Sequence, residues 1–194
     1  MTETMHAQRV FCFGDSNTFG YDPHSMFGDA YPDAVRWTGL LANEQRVMIN
    51  GGQNGLCIPG EGSYGPLASL IRSREPDLLV VMLGTNDLLE GASADAAAAR
   101  ILRLGAFLKG ALEGLPVLLV APPRLRPGTW VSEAARRESE KLGARYRAVA
   151  QRLGFGFADA GSWELPLAYD GVHLTEEGHR RFAKRIGEML DGRK

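Results

Sequence analysis

The chain has 194 residues, 44% of them apolar, and 22 Lys and Arg against 23 Asp and Glu leave a formal charge of −1. Such a composition fits a single domain over residues 1–194, with a core large enough to need no disulfide or metal staple. A near-neutral balance argues against nucleic acid or an anionic membrane surface as the main partner, since both call for a basic face, and no apolar run approaches the roughly 20 residues that cross a bilayer.

In chain order, the N-terminal stretch MTETMHAQRVF carries an acid and no apolar h-region. It therefore reads as no signal peptide, and the expected compartment is the cytoplasm. Five short apolar runs come next: 9–14 (RVFCFG), 46–50 (RVMIN), 77–84 (DLLVVMLG), 116–122 (PVLLVAP) and 155–160 (FGFADA). Most do not alternate with polar residues, as expected of strands covered on both faces. Helical periodicity appears at 93–113, with Ser93 as N-cap and Ile101, Leu104, Leu108 and Leu112 one turn apart. It appears again at 131–153, with the stripe Leu142, Tyr146, Val149 and Leu153. The last helix spans 175–190, capped by Thr175, with Phe182, Ile186, Met189 and Leu190 on one face.

Strands alternating with helices predict a five-stranded parallel sheet in flavodoxin-like order. The long irregular stretches, 20–35 and 51–63, are candidate functional loops. Cys12 lies inside an apolar run, and two cysteines make no disulfide framework. With no C-x-x-C pair and scattered histidines, no metal or organic cofactor is expected. His179, in the last helix, reads as a surface or boundary residue.

The polar signal lies just past the strands, because ligands of open α/β sheets sit beyond the carboxyl ends. The segments there are Gly14-Asp15-Ser16-Asn17, Asn50-Gly51-Gly52-Gln53-Asn54-Gly55, Gly84-Thr85-Asn86-Asp87 and Asp170-Gly171-Val172-His173. Acyl transfer needs a hydroxyl nucleophile, an imidazole to take its proton, a carboxylate to orient the imidazole, and donors for the oxyanion. Ser16 at a strand-to-helix turn can expose its hydroxyl, although taken alone it reads first as an N-cap. Asp170 and His173, three apart, can hydrogen-bond. Gly52 can bring a backbone N–H close to a ligand, and Asn86 supplies a neutral amide donor. Asp15 and Asp87 read as structural carboxylates.

The blocks FGDSN, NGGQNG, GTND and DGVH, carrying Ser16, Gly52, Asn86 and His173, resemble the four-block signature of the SGNH (GDSL-type) hydrolases. They span residues 13–173. The resemblance implies a three-layer α/β/α sandwich and a serine esterase. It implies Ser16 as nucleophile, His173 as base and Asp170 as orienting acid, with an oxyanion hole from Ser16 N–H, Gly52 N–H and the Asn86 amide. Residues 34–44 (AVRWTGLLANE) and VVMLGTNDL are similar to the arylesterase/acyltransferase branch, which cleaves short acyl esters such as acetates. The family often has Leu after G-D-S, where this chain has Asn17.

Asn17, Asn54, Trp37, Trp130 and His24 stand as candidate substrate contacts, the two tryptophans reading by default as apolar anchors, and PPRLRPGTW (122–130) as a candidate substrate wall. Tyr21, Met26, Phe27 and Tyr31 make the 20–35 loop a candidate homo-oligomer interface. The same site would serve a carbohydrate O-deacetylase, a thioesterase or a lysophospholipase; outside enzymes, the rival is a silent ligand-binding module on this fold.

Overall fold

The computed structural model describes residues 6–192. Residues 1–5 of the N-terminal segment read as no signal peptide lie outside that range. The chain runs β1 (Gln8–Gly14), α1 (Ser16–Phe19), α2 (Trp37–Leu41), β2 (Arg46–Gly52), α3 (Tyr64–Ser73), β3 (Leu78–Met82), α4 (Thr85–Leu89), α5 (Ala94–Ala111), β4 (Val117–Ala121), α6 (Glu133–Leu153), β5 (Gly156–Asp159) and α7 (Glu176–Asp191). The five strands pair in parallel in the order β2-β1-β3-β4-β5, which is the doubly wound arrangement expected from the alternation of elements. Strand order reverses between β1 and β3, so the carboxyl end of β1 is the switch point at which such sheets place ligands.

Both faces of the central strands β1, β3 and β4 are buried, which is why these read as apolar runs, whereas the edge strands β2 and β5 are only partly buried. Within β1, Val10 and Cys12 point into one layer while Phe11 and Phe13 point into the other. The layer on the Phe11 side holds α3, α5 and α6, with Ile71, Ile101, Leu104, Leu142 and Tyr146 against the sheet. The layer on the Val10 side holds α2 and α7, built around Trp37, Phe182 and Ile186. Local signals set the helix starts: Ser93, Ser132 and Thr175 accept from Ala96, Ala135 and Gly178 N–H at 3.1 Å each. Among the described residues no helix is long and apolar enough to cross a membrane.

To the three helices that the sequence periodicity predicts the structure adds the short α1, α2 and α4 and the longer α3. Among these, α3 is the one with a clear apolar face. Its buried Leu67, Ala68 and Ile71 have helical spacing, but Gly65 and Pro66 in the first turn blur the pattern. Strand β2 runs two residues past 46–50, to Gly52, and that extension matters at the site. His179 is fully buried, contrary to its reading as a boundary residue. It sits under α2, with Nδ1 accepting from Trp37 N–H at 3.4 Å and the Tyr31 ring edge-on at 5.5 Å.

Candidate active site

At the end of β1 the chain turns within one residue into α1. Asp15 is the cap: Oδ1 accepts from Asn17 N–H at 3.0 Å. Ser16 is the first residue of α1, so its N–H has no carbonyl within the helix to reach. Burial pushes the Asp15 carboxyl up to about 6. Its Oδ2 and the nearby Thr85 Oγ1 are both buried without a hydrogen-bond partner among the described residues. Asp15 therefore serves the turn, as its reading as a structural carboxylate anticipated.

Residues 168–174 form a second tight unit. Gly171 adopts φ +76°, where a side chain would run into the backbone of Arg126. Asp170 lies beneath, with Oδ1 accepting from Val172 N–H at 2.9 Å and His173 N–H at 3.0 Å. Its Oδ2 lies 2.7 Å from His173 Nδ1. Burial raises the carboxyl, but these three bonds together outweigh it and hold it below the usual carboxylate range. An ionised Asp170 only accepts, so the imidazole proton belongs on Nδ1, leaving Nε2 a lone pair. That Nε2 stands 3.0 Å from Ser16 Oγ, across 157 residues of sequence. The Tyr21 ring packs on the His173 ring, centroids 4.5 Å apart.

The third unit joins α4 to the 53–58 loop. Asn86 Nδ2 donates to Leu56 O at 3.1 Å. The fully buried Asp87 accepts from Ile58 N–H at 2.9 Å and from Arg100 Nη1 at 2.6 Å. Adjacent residues of α4 thus fix the loop that carries Asn54 and Gly55.

These units surround an open cavity of about 240 Å³, lined by Ser16, Tyr21, Asn54, Gly55, Asn86, Leu89, Trp130, Val172 and His173. Of the sequence-derived candidates, Ser16, Asn86, His173, Asn54 and Trp130 meet here, and Asp170 supports them from behind. Gly52 does not reach the cavity. Because β2 extends to Gly52, paired with Gly14, its N–H is held by Asn50 Oδ1 at 2.9 Å, and its Cα faces the backbone of Thr18 and Phe19. Gly55, at φ +71° with open space where a side chain would be, occupies the place expected of Gly52. Its N–H has no hydrogen-bond partner among the described residues.

Trp37 is fully buried against Phe182, its Nε1 donating to Asn17 O at 3.0 Å, so it lines the core and no pocket. Asn17 is buried too, its amide occupied by Val172 and Leu174. His24 lies outside the cavity lining and packs on Tyr169, centroids 5.7 Å apart. Sequence reasoning missed Leu89 and Val172 as lining. It read Tyr21 only as an apolar loop residue, whereas the register of Tyr21 with Ala30 turns it onto His173.

Sequence comparison with curated proteins gives no match. The family model described as GDSL-like lipase/acylhydrolase matches residues 12–181. Est24, a carbohydrate acetylesterase from Sinorhizobium meliloti, is 26% identical and superposes with a TM-score of 0.82, over 96% of this chain and 100% of that one. The aryl esterase of M. smegmatis, also 26% identical, superposes with TM-scores of 0.80 in its native form and 0.85 with inhibitor bound, over 96% of this chain and 99% of that one. With the family match running from within β1 into α7, and the α/β sandwich shared over nearly the whole length, the chain belongs to the GDSL-like lipase/acylhydrolase family and is a carboxylic ester hydrolase.

Proposed function

We propose that the protein is a serine esterase for short acyl esters, working through an acyl-Ser16 intermediate. The observation that carries this reading is the Asp170–His173–Ser16 chain at 2.7 and 3.0 Å, ending at the wall of a cavity. Ser16 Oγ attacks the ester carbonyl carbon while its proton passes to His173 Nε2. The resulting imidazolium is stabilised by Asp170. Collapse of the tetrahedral intermediate breaks the bond to the alcohol oxygen, which leaves with the proton from His173. Water then attacks the acyl carbon, giving its proton to His173, and Ser16 regains it as the carboxylic acid departs. An alcohol or a peroxide in place of water gives acyl transfer by the same steps.

The oxyanion rests on Ser16 N–H, the second Asn86 amide hydrogen and Gly55 N–H, the last replacing the Gly52 donor that the sequence suggested. About 240 Å³ is small beside the roughly 300–1,000 Å³ of sites for drug-sized ligands. That size suits an acetyl-type group with its alcohol projecting past Trp130 and Tyr21. The names of the structural neighbours support aryl acetates and acetylated sugars as the two substrate classes to compare, and aromatic rings at the mouth can stack on either. Ser16→Ala is expected to abolish turnover of p-nitrophenyl acetate and labelling by a fluorophosphonate. A persistent burst of p-nitrophenol from that variant would overturn the assignment. A panel of aryl acetate, acetylated sugar, acyl-CoA and lysophospholipid ranks the substrate class.

A further inference from the structure

Resting on the proposed roles of Ser16 and His173, we infer that Asn17 is a positioning residue that sets the distance between nucleophile and base. All four of its polar groups are occupied. Its N–H donates to Asp15 Oδ1 and its carbonyl accepts from Trp37 Nε1. In the side chain, Nδ2 donates to Val172 O at 3.0 Å and Oδ1 accepts from Leu174 N–H at 2.9 Å. The amide thus grips the backbone on both sides of His173, a donor to one neighbour and an acceptor to the other.

The remaining bonds of the His173 loop tie it to itself or to neighbouring loops: Asp170 to Val172 and His173 N–H, Ala168 N–H to His173 O, Arg126 N–H to Gly171 O. Among the described residues, the side-chain hydrogen bonds joining α1 to 170–174 are those of Asn17 and the Ser16–His173 contact itself. Ser16 and Asn17 are consecutive in α1, so the clasp references the imidazole directly to the helix that carries the hydroxyl. Leu, frequent at this position in the family, offers neither a donor nor an acceptor. This chain has built the registration from an amide that touches no substrate.

Two variants test the inference. In Asn17→Leu the clasp is gone, and kcat is expected to fall about 10- to 100-fold with KM within about threefold, because misplacement of a reacting group is felt in the chemical step. In Asn17→Asp the outcome depends on protonation. A neutral carboxyl can still donate to Val172 O and accept from Leu174 N–H, whereas an ionised one turns an oxygen toward the Val172 carbonyl. The titratable groups around the position are Asp15 on its own turn, Asp170 and His173 on the loop, and His179 of α7 behind Trp37. The ratio of N17D to wild-type kcat should approach one in acid and fall about tenfold as the new carboxylate ionises. Circular dichroism at each pH checks that the variant stays folded. Should N17L fail to fold, N17D decides alone. Wild-type kcat in N17D across the pH range, or a loss confined to KM, overturns the inference. S16A runs in the same assay: its retained turnover overturns the role of Ser16 and this inference with it, while an inactive S16A beside a fully active N17D overturns only the role of Asn17.

Discussion

The turn after β1 and the tip of the loop that succeeds it break the same packing rule in opposite directions. At the turn, Asp15, Ser16, Asn17 and Thr18 are polar and buried. At the tip, Met26 and Phe27 are apolar and 92% and 88% exposed. Their partners differ as sharply. Side chains of the turn bond to Val172, His173 and Leu174, 155 to 157 positions away. The tip is held mostly locally: Ser25 Oγ accepts from Phe27 and Asp29 N–H, Asp22 Oδ1 accepts from His24 N–H, and Tyr169 Oη donates to Pro23 O at 3.0 Å from a distant segment. Burying polar groups is costly unless each is satisfied, so the turn depends on the whole tertiary structure. The tip depends mostly on adjacent residues, with Tyr169 as its distant support. Chemistry is concentrated where partners are distant.

The largest effect is expected at the turn. Ser16→Ala should lower kcat by at least about 10⁴-fold with the fold intact, read by single-turnover kinetics on an aryl acetate. Asn86→Ala should cost on the order of 100- to 1000-fold in kcat, and a rate within about threefold of wild type would remove it from the oxyanion hole.

Next in size are two buried groups that titrate in opposition. His179 is held neutral down to about 4, chiefly by burial. As pH falls from the ordinary 6.5 toward 4, the unfolded chain takes up a proton that the folded one refuses, so stability drops, by about 3 kcal/mol in total. Asp15, raised to about 6 by burial, is protonated first in the folded state. Its contribution therefore rises as pH falls from about 6 toward 4, by a similar amount. The two slopes nearly cancel. Asp15→Asn should expose acid sensitivity between about pH 6 and 4 in urea unfolding curves, and a flat profile in that variant would show that His179 titrates normally. The smallest effect belongs to the tip: Met26→Ser with Phe27→Ser should change unfolding free energy by less than about 0.5 kcal/mol and kcat hardly at all.

Legibility divided along the same line. The central strands could be read because both of their faces are buried, the edge strands β2 and β5 from shorter apolar runs, and the long helices because Ser93 and Thr175 cap clean stripes. Ser16, Asp170, His173 and Asn86 could be placed on one rim because parallel topology sends every strand's carboxyl end to the same edge. Gly52 misled, because a two-residue difference in where β2 stops decides which glycine faces the cavity, and no local pattern fixes a strand end that well. The burial of Trp37 was expected of an apolar anchor but not its place, and that of His179 was not legible at all. Both sit in short or polar-looking segments whose burial arises only when α2 packs on α7. Asn17 carried a clue in the sequence, an amide where Leu is frequent, but its partners become visible only in three dimensions.

The 157 residues between Ser16 and His173 also make hydrolysis a clock. The hydroxyl meets its imidazole only once the segment before α7 has docked onto the turn after β1. Contacts so far apart in sequence carry the largest loop-closure cost and tend to form late. Ester turnover during refolding should therefore lag the return of helical dichroism, reporting the last step of assembly.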